Sequence, residues 1–143
     1  MKMTLKQALE MYGAIQTLDQ GYKDGEKQEQ FKYDGATRIK LAMARRRLRE
    51  LYEDYVDSRN KLLMDITNGI GELPGLDKPL ENGMDRADAV QQHIKFAQAE
   101  RKMLLADIEI DINAIPAASF DLDNNPIPVA VIDLLGDLMQ MEA

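Results

Sequence analysis

Four arginines lie close together at Arg45, Arg46, Arg47 and Arg49, and Arg38 and Lys40 precede them. No acidic residue falls between Arg38 and Arg49, so this stretch carries undiluted positive charge. A guanidinium pairs bidentately with a carboxylate or a phosphate, so the chemistry open to the cluster is recognition of an anion or of an acidic protein. On a helix Arg38, Arg45 and Arg49 share one face, while Arg46 and Arg47 point elsewhere. The plainer reading is a solvated surface, because Glu50, Glu53, Asp54 and Asp57 follow at once and lie within one helical turn of several arginines. Arg38, Arg45, Arg46 and Arg49 are the candidate interaction residues of this region.

Other groups with chemical potential are sparse. Asp121, Asp123 and Asn125 copy the first three ligand positions of a calcium loop. The pattern then fails, because Pro126 stands where glycine makes the sharp turn and Ile132 stands where a bidentate glutamate is needed. Turn formation explains the three residues better. His93 is the only histidine, and with no cysteine in the chain it has no companion for a transition-metal site. Asp107, Glu109 and Asp111 alternate, so on a helix only the outer two would share a face. There is no glycine-rich phosphate loop, no nucleophile elbow and no H-E-x-x-H. The expectation is a protein that is not an enzyme and uses no metal or cofactor.

Charge narrows the partners. Residues 1–80 hold 14 basic and 13 acidic side chains, or +1, and residues 81–143 hold 4 and 12, or −8, which together make the net −7. The second half therefore repels a phosphate backbone, and nucleic acid is an unexpected partner. No apolar run approaches the ~20 residues of a membrane span, nor does the N-terminus carry the apolar core of a secretory leader. A soluble protein working inside a cell, or in a particle assembled there, is expected.

The elements that would position these residues read as helices. Thr4 and Gln7 have capping-box spacing, and Leu5, Ala8, Leu9, Tyr12, Ile15 and Leu18 form a stripe that stops at Gly21. Residues 19–35 read as a polar loop, with a helical turn over 26–31 and Phe31 and Tyr33 as anchors. Two long helices follow, 36–68 and 85–115, separated by a turn containing Gly71, Pro74, Gly75, Pro79 and Gly83. Asp85 is a natural N-cap for the second, and Pro116 ends it. In an antiparallel hairpin, Leu41, Leu48, Leu51, Tyr55 and Leu62 would face Val90, Ile94, Ala97, Leu104 and Ile108. Pro128 introduces a last helix over 129–139. Its apolar residues either close the end of the hairpin or form an interface through Ile132, Leu135, Leu138 and Met139. The fold expected is all-α and single-domain over 1–143: a long antiparallel hairpin, a packed N-terminal helix (1–20) and a C-terminal turn and short helix (116–143).

Several segments resemble a family of small uncharacterised phage proteins. The matching pieces are Leu9 to Leu18, the Gly35-Ala36-Thr37-Arg38-Ile39-Lys40-Leu41 stretch, the charged helix from Leu48 to Tyr55, and Asn125-Pro126-Ile127-Pro128-Val129. The turn after Asn68 and the Arg45–Arg49 cluster depart from that layout. The resemblance implies a viral origin and a non-catalytic role, in the host cytoplasm or the phage particle. Two functions follow as expectations. One is a self-associating structural or assembly component that works by protein–protein contact. The other is an acidic inhibitor that sequesters a host factor by resembling nucleic acid. Binding of a small anion between helices at Arg38, Arg45 and Arg49 is a third, lesser expectation.

Overall fold

The computed structural model describes residues 1–77 and 84–141. Pro79 and Gly83 of the expected turn lie outside them. The all-α expectation is corrected: the chain is 60% helix and 12% strand, with three two-stranded sheets beside four helices among the described residues. The chain divides into two compact units, Met1–Tyr52 with Asp107–Ala143, and Glu53–Ala106.

In the first unit, strand β1 (Lys2–Thr4) runs directly into helix α1 (Leu5–Gln20). Thr4 makes the switch. Its hydroxyl accepts from the Gln7 N–H at 3.2 Å and the Gln7 side chain accepts from the Thr4 N–H at 2.9 Å, which satisfies two free donors of the first turn. Helix α1 buries Leu5, Ala8, Met11, Tyr12, Ala14, Ile15 and Leu18. It ends at Gly21, whose φ of 80° suits glycine, and a Cβ there would collide with the Glu29 carbonyl.

That carbonyl belongs to a hairpin, β2 (Tyr22–Asp24) and β3 (Lys27–Glu29), where a loop with a helical turn was expected. Gly25 has a positive φ and Glu26 does not, the pattern of a two-residue type II′ turn. The hairpin is anchored by Tyr22 on Phe31, with ring centroids 5.0 Å apart.

Helix α2 spans Gly35–Ile66 and contributes to both units. Asp34 starts it by accepting from the Thr37 N–H at 2.8 Å, and hydrogen bonding first from the Thr37 side chain and then from its backbone N–H holds the carboxyl below the usual aspartate range. Thr37, Leu41, Ala44 and Leu48 are its buried residues in this unit, at steps of four, three and four. Leu41 and Leu48 do not face the other long helix as expected. They share a core with α1, Ile110, Ile112 and Ile115.

The isoleucines explain the second correction. Helix α3 covers Arg86–Leu104 and stops well short of 115. From Asp107 to Ile112 acid and isoleucine alternate strictly, with Ile108 half-buried, Ile110 and Ile112 buried, and the three acids exposed. That is the two-residue period of a strand, which β-branched isoleucine favours. Strand β4 (Asp107–Glu109) pairs antiparallel with β1, and Met1 and Ile110 continue the ladder through two bonds of 2.9 Å. Strand β5 (Ile115–Pro116) pairs in parallel with β6 (Met139–Gln140). Between them lie a 3-10 turn burying Phe120 and helix α4 (Val129–Leu135), which is shorter than expected and continues as a 3-10 turn to Leu138.

Asn125 joins distant parts of this unit. Buried, it accepts from the Lys32 N–H at 2.9 Å and donates to the carbonyls of Lys32 at 2.9 Å and Phe120 at 2.8 Å.

In the second unit the end of α2 and helix α3 run antiparallel, so part of the expected hairpin is present. Arg59 joins Glu100 at 2.8 Å, lies over the Phe96 ring at 5.0 Å, and the Tyr55 hydroxyl reaches the same carboxylate at 3.4 Å. Asp85 caps α3 as expected, accepting from the Ala87 N–H. The seam differs: Leu63, Ala89 and Phe96 are buried, whereas Val90 and Ile94 are exposed. Thr67, also buried, donates to the Leu63 carbonyl and accepts from the Gly71 N–H, which ends α2.

Substituting Asn125→Ala leaves one buried and two part-buried backbone groups without this partner, and should lower the unfolding free energy by roughly 3 kcal/mol in urea titration. Asn124→Ala, at an exposed neighbour, should cost less than about 1 kcal/mol in the same assay.

Candidate functional site

The arginine cluster separates into two sets. Arg45 forms an ion pair with Asp19 of α1, and the Arg38 side chain donates to the Tyr33 carbonyl at 3.2 Å. Both bind their own fold, so the shared face of Arg38, Arg45 and Arg49 is not an open anion site. Arg47 reaches Asp111 at 4.0 Å, a solvent-exposed pair that contributes little. Arg46 and Arg49 are exposed and have no ion pair among the described residues.

Between these arginines lies a feature that the apolar stripe concealed. Ile39 and Met43 are 62% and 61% exposed. They stand four residues apart on the side of α2 away from Leu41 and Leu48, in line with Arg46. The phase of Ile39 is the signal: it falls out of step with the Leu41–Ala44–Leu48 series. Beside them Lys40, Met43, Ala44 and Arg47 form a shallow cleft of about 130 Å³ with Asp111, Ile112 and Asn113. The surface is thus apolar at its centre and largely basic at its rim, with Asp111 as the acid that lines the cleft.

The C-terminal candidates have a different fate. Leu135, Leu138 and Met139 are buried and Ile132 is half-buried, all within or against the core of the first unit. They close this core instead of facing outward. Val129 and Leu134 of α4 are 73% and 41% exposed, and Leu134 lies beside Asp133 and Asp137. Leu134, Asp133 and Asp137 line a cleft of about 150 Å³ whose opposite wall is Met3, Gln7, Glu10 and Met11. This surface pairs apolar groups with an acidic rim, the inverse of the first. A third, more open cleft of about 540 Å³ lies along Lys2–Thr4, Gln7 and Asp107–Glu109.

The remaining sequence candidates serve structure. Asp121, with a positive φ, accepts from the Asn124 side chain at 3.0 Å, and Asn125 is the buried joint described above. His93 donates from Nε2 to the Pro74 carbonyl at 2.7 Å, because a carbonyl can only accept. Among the described residues no group of three or more His, Asp or Glu is placed to hold a metal, and no helix is long and apolar enough to cross a membrane.

Among the described residues Tyr33 is the one strongly perturbed acid. Burial, and then the Asp19 charge, push its phenol up to about 12, and its hydroxyl has no hydrogen-bond partner among the described residues. Its ring packs edge-on against Phe120 with centroids 6.2 Å apart. The folded protein therefore resists an ionisation that the unfolded chain undergoes near pH 10, so stability declines as pH rises from about 10 towards 12. Tyr33→Phe should leave the melting temperature at pH 7 unchanged or higher. It should also flatten the alkaline fall, as read by thermal unfolding across pH 8 to 11.

No family model, curated protein or solved structure matches this chain.

Proposed function

We propose that this chain is a non-enzymatic protein-interaction module, and that it serves as a structural or assembly component of a phage particle. The observation that carries the first part is the exposure of Ile39 and Met43 inside the basic surface of α2. Each aliphatic side chain left in water forgoes roughly 1.5–3 kcal/mol that cover by a partner would recover. The opposite face of the same helix is locked into a core by Leu41, Ala44 and Leu48, so the two side chains are presented with little conformational freedom left to lose. Arginine beside exposed aliphatic groups is the composition of a contact surface for an acidic protein. The phage assignment draws on the layout of the sequence from Leu9 to Val129.

The acidic-inhibitor reading keeps one supporting observation, the row of exposed carboxylates at Asp107, Glu109 and Asp111 along β4 and its extension. It is the weaker reading, because three carboxylates make a short imitation of a phosphate backbone.

Affinity capture with the immobilised chain from infected-cell lysate tests the proposal, alongside analysis of purified particles. Viral structural proteins should be retained by the wild-type chain and lost with Arg46→Glu. Absence from particles together with Arg46-independent retention of a host nucleic-acid-binding protein would favour the inhibitor instead.

A further inference from the structure

The two apolar surfaces of the first unit are opposite in charge, and neither is covered. On α2, Ile39 and Met43 are rimmed by Lys40, Arg46 and Arg47. At α4, the exposed Leu134 lines a cleft with Met3 and Met11 whose walls carry Glu10, Asp133 and Asp137. The two share no residue, and no ion pair joins them within the chain among the described residues. Glu10 is 3.9 Å from Lys6, a loose exposed pair, while Asp133 and Asp137 have no ion-pair partner among the described residues.

We propose that the Lys40–Met43–Arg46 surface of one copy docks on the Glu10–Asp133–Asp137 cleft of a second copy. This rests on the protein-interaction reading above and names the partner as the chain itself. Charge complementarity selects the occupant: the basic rim repels another basic rim, so the contact joins unlike surfaces. A cavity of the order of 150 Å³ admits a group about as large as benzene, so the acidic cleft has room for a methionine side chain. Met43 is the methionine that stands exposed at the centre of the basic surface. Because the two surfaces differ, the contact is head-to-tail, and an open array keeps one free basic surface at one end and one free acidic surface at the other. Such a contact generates rings if the rotation closes and filaments if it does not. A net charge of −7 opposes close approach in general, which makes the basic surface of α2 a favoured point of entry.

Two variants separate the surfaces without adding charge. Met43→Ser/Arg46→Ser removes the basic side and Leu134→Ser/Asp137→Ser removes the acidic side. Sedimentation velocity at up to about 0.1 mM, a range that registers weak contacts, reads the mass of each alone and of an equal mixture. The wild-type chain should exceed its 16.2 kDa monomer mass increasingly with concentration. Each variant alone should stay monomeric, because it lacks one half of the contact. The mixture should form a species of twice the monomer mass and nothing larger, since one variant supplies the cleft and the other the basic surface.

A monomeric wild-type chain, variants that associate as the wild type does, or a mixture that stays monomeric would each overturn the proposal. Circular dichroism melts check folding, and Asp133→Asn/Asp137→Asn replaces the acidic-side variant if loss of Leu134 unfolds it. A monomeric wild-type chain that still captures a viral protein through Arg46 overturns self-docking alone. Loss of both self-association and capture overturns the interaction reading as well.

Discussion

Helix α1 must be covered across about half of its circumference at once, and the first unit is organised by that need. Its seven buried residues run from Leu5 and Tyr12 on one side to Ala14 and Leu18 on the other, an arc too wide for one neighbour to cover. Three separate stretches supply the cover: Leu41, Ala44 and Leu48 of α2, the isoleucines from Ile110 to Ile115, and Val131, Leu135 and Leu138 near the C-terminus. Each fully buried leucine or isoleucine contributes about 1.5–3 kcal/mol, so this cluster outweighs the exposed ion pairs at its edges. Polar joints set its register. Met1 with Ile110 and Lys32 with Asn125 hold chain segments that are far apart in sequence.

The division of labour on α2 follows from the same packing. Once Leu41 and Leu48 turn inward, the positions of Arg38 and Arg45 bring them to the Tyr33 carbonyl and to Asp19, where they orient neighbouring elements. Arg46 shares the outward side with Ile39 and Met43 by helical geometry alone. The same logic acts at α4. Burial of Leu135 and Leu138 leaves Asp133, Leu134 and Asp137 facing out beside Glu10. Two interaction surfaces of opposite sign are thus by-products of one core, and both sit on helices whose inner faces cannot shift freely.

Local features were legible wherever a short-range contact decides them. Thr4 with Gln7, Asp85 before α3, and Gly21 after α1 act within one turn of chain, and the structure bears out each. The β2–β3 hairpin escaped notice because its strands, Tyr22-Lys23-Asp24 and Lys27-Gln28-Glu29, are polar on both faces. Only the Asp24-Gly25 pair marked the turn. Asp107 to Ile112 carried its strand signal openly in the alternation of acid and isoleucine. The same stretch also reads as helix, because Ile94, Leu104, Ile108 and Ile115 permit a helical spacing.

The sequence by itself determined the helical majority, the caps, the places where helices start, and the uneven spread of charge. These depend on neighbours a few residues away. The tertiary structure alone decided which apolar stripe meets which. Leu41 and Leu48 could seal against α3 or against α1 with equal chemistry, and the isoleucine strand with α4 completes a closed core around α1. It also decided which arginines remain outside. A residue's helical phase is written in the sequence, but whether that phase faces a core, an ion-pair partner or water depends on what packs against the helix.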